Sequence, residues 1–216
     1  MEQRNGNYEL IMHSIGVIDI GLGNVTAVKR MVQKVGGEPM SVANSHELST
    51  VKKFILPGVG NFNEGMKRLK SAGLADPIRM AAKKQDIYIL AICLGMQLLC
   101  RSSEEAQVSG LGIVDADVVK IVSNRSEKVK VPHMGWNTVK IPRKSALFKN
   151  IVEERRFYFV HSFKVVPDNE EIIIAYTTYG EDFCSSFQHG NVFGVQFHPE
   201  KSHRFGMNLI KNFISI

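Results

Sequence analysis

The run Ile87-Tyr88-Ile89-Leu90-Ala91-Ile92 is apolar at every position, and it decides the architecture open to this chain. A strand with one wet face alternates apolar and polar residues. A strand apolar throughout is covered on both faces. Two shorter runs of the same kind precede it, Ile15 to Asp19 and Lys53 to Leu56. Between them lie amphipathic stretches. Val25, Val28, Met31, Val32 and Val35 follow helical spacing and stop at Gly36-Gly37. Asn61 to Leu69 and Leu74 to Lys84 read as helices divided at Gly73, and a further helix runs from Leu94 to about Arg101. Strands alternating with helices in this way predict a parallel sheet with helices on both sides.

After Gly112 the pattern becomes β-rich. Short strands are predicted over Asp117–Val122, Val129–Val131, Thr138–Ile141, Phe157–Val160, Ile172–Ala175, Phe183–Gln188 and Val192–Phe197, before a last helix from Phe205 to Phe213. No linker divides the two halves. The expectation is a single α/β domain over residues 15–216, with a mostly parallel central sheet flanked by helices and a β-rich C-terminal half. Residues 1–14 read as a poorly ordered leader.

At 216 residues, 44% hydrophobic and 22% charged, the chain has the make-up of an ordinary globular domain. Its 27 Lys and Arg against 21 Asp and Glu leave a net charge of +6. That excess is spread thinly, without the basic stripe and aromatic platforms that a nucleic-acid partner would need. No run of about 18 apolar residues suggests a membrane span, and the first residues lack a signal-peptide core. Cys93, Cys100 and Cys184 are odd in number and lack metal-ligand spacing, which points to a reduced, cytoplasmic setting. Gly21-Leu22-Gly23-Asn24 lacks the full phosphate-loop or dinucleotide pattern, so no cofactor and no metal are expected.

One cysteine stands apart. Cys93 lies where the apolar strand meets a helix, in Cys93-Leu94-Gly95-Met96-Gln97. A sharp strand-to-helix turn lifts that side chain over the carboxyl edge of the sheet, and a helix N-terminus beneath the sulfur favours thiolate. The backbone N–H of Leu94 can donate to a developing oxyanion. Cys100 and Cys184 lack such surroundings and read as core. A cysteine nucleophile needs a base, and the base needs an orienting group. His198, in Phe197-His198-Pro199-Glu200, ends a predicted strand, and Glu200 can accept from its far ring nitrogen. Such a set takes the thiol proton, protonates a leaving amine, then activates water. Gly58-Val59-Gly60 follows a strand expected parallel to that of Cys93, so a backbone flip there would supply a second oxyanion donor.

At these residues the chain resembles the class I glutamine amidotransferases. Five segments narrow the resemblance to the glutaminase subunits of imidazole glycerol phosphate synthase: Leu56-Pro57-Gly58-Val59-Gly60, Ala91 to Leu99, Pro132-His133-Met134-Gly135-Trp136-Asn137, Tyr158 to Ser162, and Phe197 to Ser202. The resemblance implies a flavodoxin-like fold and a Cys93, His198, Glu200 triad. It further implies that Gly58 and Gln97, with the backbone of His161 and Ser162, hold L-glutamine. It also implies a heterodimer, in which ammonia passes to a (β/α)8-barrel cyclase partner. Asn24, Met134, Trp136 and Lys201 match positions facing that partner, and Met134 and Trp136 read independently as large apolar anchors in a loop.

Four features depart from the family pattern: Ile20, Val25, the pair Phe163-Lys164, and a longer, more basic hairpin around Ser123 to Lys128. None touches the triad. They bear instead on which acceptor receives the ammonia, the histidine-pathway intermediate or an amidinated surface sugar. Two readings from other classes are an inert binding or regulatory module, whose cue would be a broken triad, and a cysteine peptidase built on the same turn. The isolated subunit is expected to be a poor glutaminase, with Gly58-Val59-Gly60 resting in the wrong backbone orientation until the partner shifts it.

Overall fold

The computed structural model describes residues 14–122, 129–149 and 155–216. The predicted leader lies outside these residues except for Ser14, which opens the first strand and pairs with Glu38. The hairpin around Ser123 to Lys128 also lies outside them.

The expected parallel half is present. Strands β1 (Ser14–Ile18), β2 (Glu38–Val42), β3 (Lys53–Gly58) and β4 (Tyr88–Cys93) run parallel in the order β2-β1-β3-β4. Late in the chain, β12 (Val192–Val195) joins them beside β4, also parallel. The remaining members turn the sheet antiparallel. β11 (Glu181–His189) pairs β12, and β9 (Phe163–Pro167) pairs both β11 and β6 (Ala116–Lys120). β10 (Ile173–Tyr179) also pairs β11, and β5 (Ser102–Ser103) closes the far edge. A separate two-stranded sheet joins β7 (His133–Thr138) to β8 (Arg156–His161).

Period-two alternation explains why the central strands are apolar throughout. Along β3, Phe54 and Leu56 enter one core, while Ile55 enters the other. Along β4, Ile89 and Ala91 face the first core, and Leu90 and Ile92 the second. The first core is roofed by helices α3 (Phe62–Ser71) and α4 (Ala75–Ala82), through Met66, Leu69 and Ile78, with Leu48 added by the single-turn α2 (Ser45–Leu48). The second is roofed by α1 (Val25–Lys34) and α6 (His203–Ser215), through Val28, Val32, Leu209 and Phe213. Asn61 caps α3, its side-chain oxygen accepting from the backbone N–H groups of Asn63 and Glu64.

Several expectations need correction. β2 was not foreseen because Pro39 sits inside it, and proline is tolerated there because β2 is an edge strand. The strand expected at Val129–Val131 is absent, and of Thr138–Ile141 only Thr138, the last residue of β7, and an isolated bridge from Lys140 to Tyr176 are paired. Met134 and Trp136 therefore stand on a strand rather than in a loop. Its alternating exposure, with His133 buried and Met134 and Trp136 out, hides behind Gly135 and Asn137, which read as turn residues. β9 was also missed, since Lys164 and Pro167 interrupt its apolar pattern. The helix after Cys93, α5 (Leu94–Leu98), is shorter than the spacing predicted.

Candidate active site

The parallel strands all deliver their last residues to one edge, where ligands of open α/β sheets bind. Register fixes the neighbours. Gly58, the last residue of β3, pairs Cys93, the last of β4. Val195, the last of β12, pairs Ile92, so the chain leaving β12 enters the same edge.

Cys93 takes φ 52 and ψ −111, a left-handed backbone rare for a side chain with a Cβ. Such strain costs about 1–3 kcal/mol and persists only where the surroundings enforce it. Here they do. A Cβ on Gly95 would overlap the Leu56 carbonyl oxygen, and one on Gly58 would lie 2.7 Å from the Gly95 nitrogen. The turn after β4 is thus clamped backbone to backbone against the end of β3. The sulfur sits at the wall of a cavity of about 330 Å³ that Leu94, Gln97, Val59 and Gly60 also line. His161 and Ser162 line it from β8 and the residue after it. Gly58 packs behind this wall, against Leu94 and Gly95, and does not line the cavity.

His198 is 1% exposed. Its backbone N–H donates to the Tyr158 carbonyl at 2.8 Å, and its carbonyl accepts from the Ser202 hydroxyl at 2.6 Å. Ring Nδ1 lies 2.8 Å from Glu200 Oε1, whose carboxylate is almost as deeply buried. The other ring nitrogen, Nε2, is buried and finds no hydrogen-bond partner of good geometry among the described residues. Burial works against a charge on this ring, but Cys93 and then Glu200 outweigh it and push its pKa up to about 10. The Cys93 sulfur is therefore within electrostatic reach of Nε2, 105 positions away in sequence. Cys100 and Cys184 are buried, and desolvation pushes both thiols well up, as suits core residues.

Two groups of site residues were not foreseen. Gln196 is fully buried, and its Nε2 donates to Cys93 Sγ at 3.5 Å. The available signal was a carboxamide interrupting the apolar run from Val192 to Phe197. The second group is a chain of neutral polar side chains behind His161. The His161 Nδ1–H donates to the Phe163 carbonyl at 2.8 Å, which leaves Nε2 to accept from His133 Nδ1 at 3.0 Å. His133 Nε2 then accepts from Asn137 Nδ2 at 3.2 Å, and the same amide nitrogen donates to the Thr178 carbonyl at 3.1 Å. Every ring nitrogen is matched only while both rings are neutral.

Burial pulls His161 down to about 3 and His133 to about 4. Both folded-state values lie below the unfolded 6.5, so the unfolded chain binds more protons between them and stability falls with falling pH. This contribution is fully present above about pH 6.5 and is lost as pH drops toward 4 and 3. His198 is shifted the other way and adds no slope below 6.5. Its contribution is instead lost as pH rises from about 6.5 toward 10. Thermal melts are expected to peak near pH 7, to drop steadily from 6.5 to 4.5, and to drop again as pH rises above 7, with a His133→Gln variant losing less on the acid side only.

The residues expected at the partner side do gather on one surface. Asn24, Glu200 and Lys201 line a second cavity of about 430 Å³, together with His203 and Arg30. Trp136, 39% exposed, stacks on His203 with ring centroids 5.5 Å apart and planes 2° from parallel. Met134 is 62% exposed on the same face of β7. Among the described residues, no helix is long and apolar enough to cross a membrane.

This arrangement defines a class. The family Glutamine amidotransferase class-I matches residues 16–216, and the chain belongs to it. Solved structures share the fold: a chain of PurLQS from Thermotoga maritima has a TM-score of 0.72 at 20% identity, covering 94% of this chain and 98% of that one. Within the class, the chain belongs with the HisH subunits of imidazole glycerol phosphate synthase. It is 46% identical to subunit HisH 2 from Methanococcus maripaludis over 93% of this chain and 98% of that protein. It is 43% identical to HisH from Moorella thermoacetica, covering 94% of each. It is 41% identical to HisH 2 from Pseudomonas aeruginosa, over 94% and 99%.

Proposed function

We propose that Cys93, His198 and Glu200 hydrolyse L-glutamine to glutamate and ammonia in the cytoplasm, and that the ammonia passes to a (β/α)8-barrel cyclase partner. That partner forms imidazole glycerol phosphate. The observation carrying this reading is the buried His198–Glu200 pair beside a cysteine held at φ 52. In the first step His198 Nε2 takes the Cys93 proton, and the sulfur attacks the carboxamide carbon. The oxyanion lies against the Leu94 N–H, which as the first of a helix has no intrahelical acceptor, and against an N–H of the Val59–Gly60 loop. Collapse expels ammonia as His198 returns the proton. Water, deprotonated by His198, then opens the glutamyl thioester. Glu200 holds Nδ1 and balances the imidazolium that forms in each half-reaction.

Within the cavity, both amide hydrogens of Gln97 are taken by the Phe163 carbonyl and Gln196 Oε1. Its Oε1 is left to accept from the substrate, as the α-ammonium of a free amino acid can donate. A glutamine-mimicking electrophile is expected to label the Cys93 peptide and no other on mass analysis. An unlabelled Cys93 would mark an inert module.

Met134 and Trp136, exposed side by side on one face of β7, support the partner assignment as paired apolar anchors. Trp136→Ala is expected to weaken association with the barrel subunit about 30-fold or more, with the glutaminase fold intact. Isothermal titration against that subunit measures this. A second reading keeps the same glutaminase chemistry and delivers the ammonia for amidination of a surface sugar. The aminated product made with the co-purifying barrel protein separates the two.

A further inference from the structure

Gln196 leaves β12 directly, flanked by Val195 and Phe197, and is fully buried. A carboxamide so placed costs free energy unless its donors and acceptor are matched. Its oxygen is matched, because Gln97 Nε2 donates to Gln196 Oε1 at 3.1 Å. The other hydrogen of Gln97 Nε2 goes to the Phe163 carbonyl at 3.2 Å, and that carbonyl is itself held by His161 Nδ1. Gln97 therefore cannot turn its oxygen toward Gln196 without setting two acceptors against each other. The Gln196 amide is locked with its oxygen inward and its Nε2 aimed at Cys93 Sγ, 3.5 Å away.

From this geometry we infer that Gln196 is a catalytic residue, whose Nε2–H donates to the Cys93 sulfur and stabilises it when it is anionic. The inference rests on Cys93 being the nucleophile. A charged acceptor makes a hydrogen bond about twice as strong as a neutral one. The donor therefore acts most before attack, when the thiol proton has moved to His198, and again when the sulfur leaves the glutamyl thioester with its bonding pair. Gln196 gains and loses no proton in either step. A second polar neighbour of the sulfur besides His198, the Val160 carbonyl at 3.9 Å, is an acceptor and can serve only the protonated thiol. The two contacts thus divide between the two protonation states of one atom.

Gln196→Met keeps the volume and removes the N–H. With neither glutamine nor partner present, alkylation of Cys93 by iodoacetamide at pH 7 is expected to run about tenfold slower in the variant. The deficit should close toward pH 10, where a thiol ionises without help. A packing role alone would lower the melting temperature and leave the ratio of the two rates constant with pH. Equal rates at pH 7, or a ratio independent of pH, overturn the inference. If Cys93 of the unmodified protein reacts no faster than Cys100 or Cys184, it is the nucleophile assignment that fails. Should the variant not fold, the natural protein answers in ¹⁵N-edited spectra: the Gln196 side-chain amide signals must move when Cys93 is alkylated, and unmoved signals overturn the inference.

Discussion

Replacing Cys93 with alanine is expected to lower glutamine hydrolysis roughly 10⁴- to 10⁶-fold, measured with the barrel partner present. The size of the loss follows from the division of labour in the site. Every step that His198 and Glu200 serve lies on the thioester route, so removing the sulfur silences all three together. Alanine meets the same left-handed backbone as cysteine, φ 52, and adds no atom to the cavity wall. The fold is thus expected to survive, with the Gln196 amide losing its contact to sulfur. Residual hydrolysis at a normal rate would show that the reaction does not pass through a thioester on this residue. An unchanged melting profile beside that lost activity is the combination that marks a chemical role.

Gly95→Ala should produce a large structural effect for a single added methyl group. The added Cβ would overlap the Leu56 carbonyl oxygen and lie 3.0 Å from its carbonyl carbon. These are backbone atoms of a central strand and cannot swing aside. Relief requires the turn after Cys93 to move away from β3. Overpacking of a core costs about 1–3 kcal/mol even when side chains can adjust, and here the cost should reach or exceed the upper figure. That is a large fraction of the 5–15 kcal/mol that holds a domain together. Displacing the sulfur by even about 1 Å would also cost on the order of 100-fold in rate. Gly73→Ala supplies the comparison. It has a left-handed φ of 65 but nothing within 4 Å of the added methyl, so about 1–2 kcal/mol is expected from backbone strain alone. Chemical denaturation of the two variants side by side measures the difference.

The legible part of the site was the part carried by local chemistry. Cys93 could be read because the apolar run before it and Leu94-Gly95 after it describe a strand, a tight turn and a helix within a few residues. His198 and Glu200 could be read as a pair because two positions separate them and the Nδ1 contact spans only that gap. Their meeting with Cys93 was an expectation about strand ends, and the parallel pairing of β12 beside β4 brings both strand ends to the same edge. Gly58 is a different case. The family resemblance marked it as a substrate contact, and the structure packs it on Leu94 and Gly95 while Val59 and Gly60 line the cavity.

What the sequence alone determined was each element whose burial is written in its own residues: the central strands, apolar on both faces, and the helices with one apolar stripe. Tertiary structure alone decided the contacts between polar groups distant along the chain. His133 meets His161 across 28 positions, Gln97 reaches Phe163 across 66 and Gln196 across 99, and Gln196 reaches Cys93 across 103. A hydrophobic stripe declares itself because water rejects it wherever it lies. A hydrogen bond has no such signature in one strand of residues, since its partner is chosen only when the sheet closes and leaves each donor a single acceptor within reach.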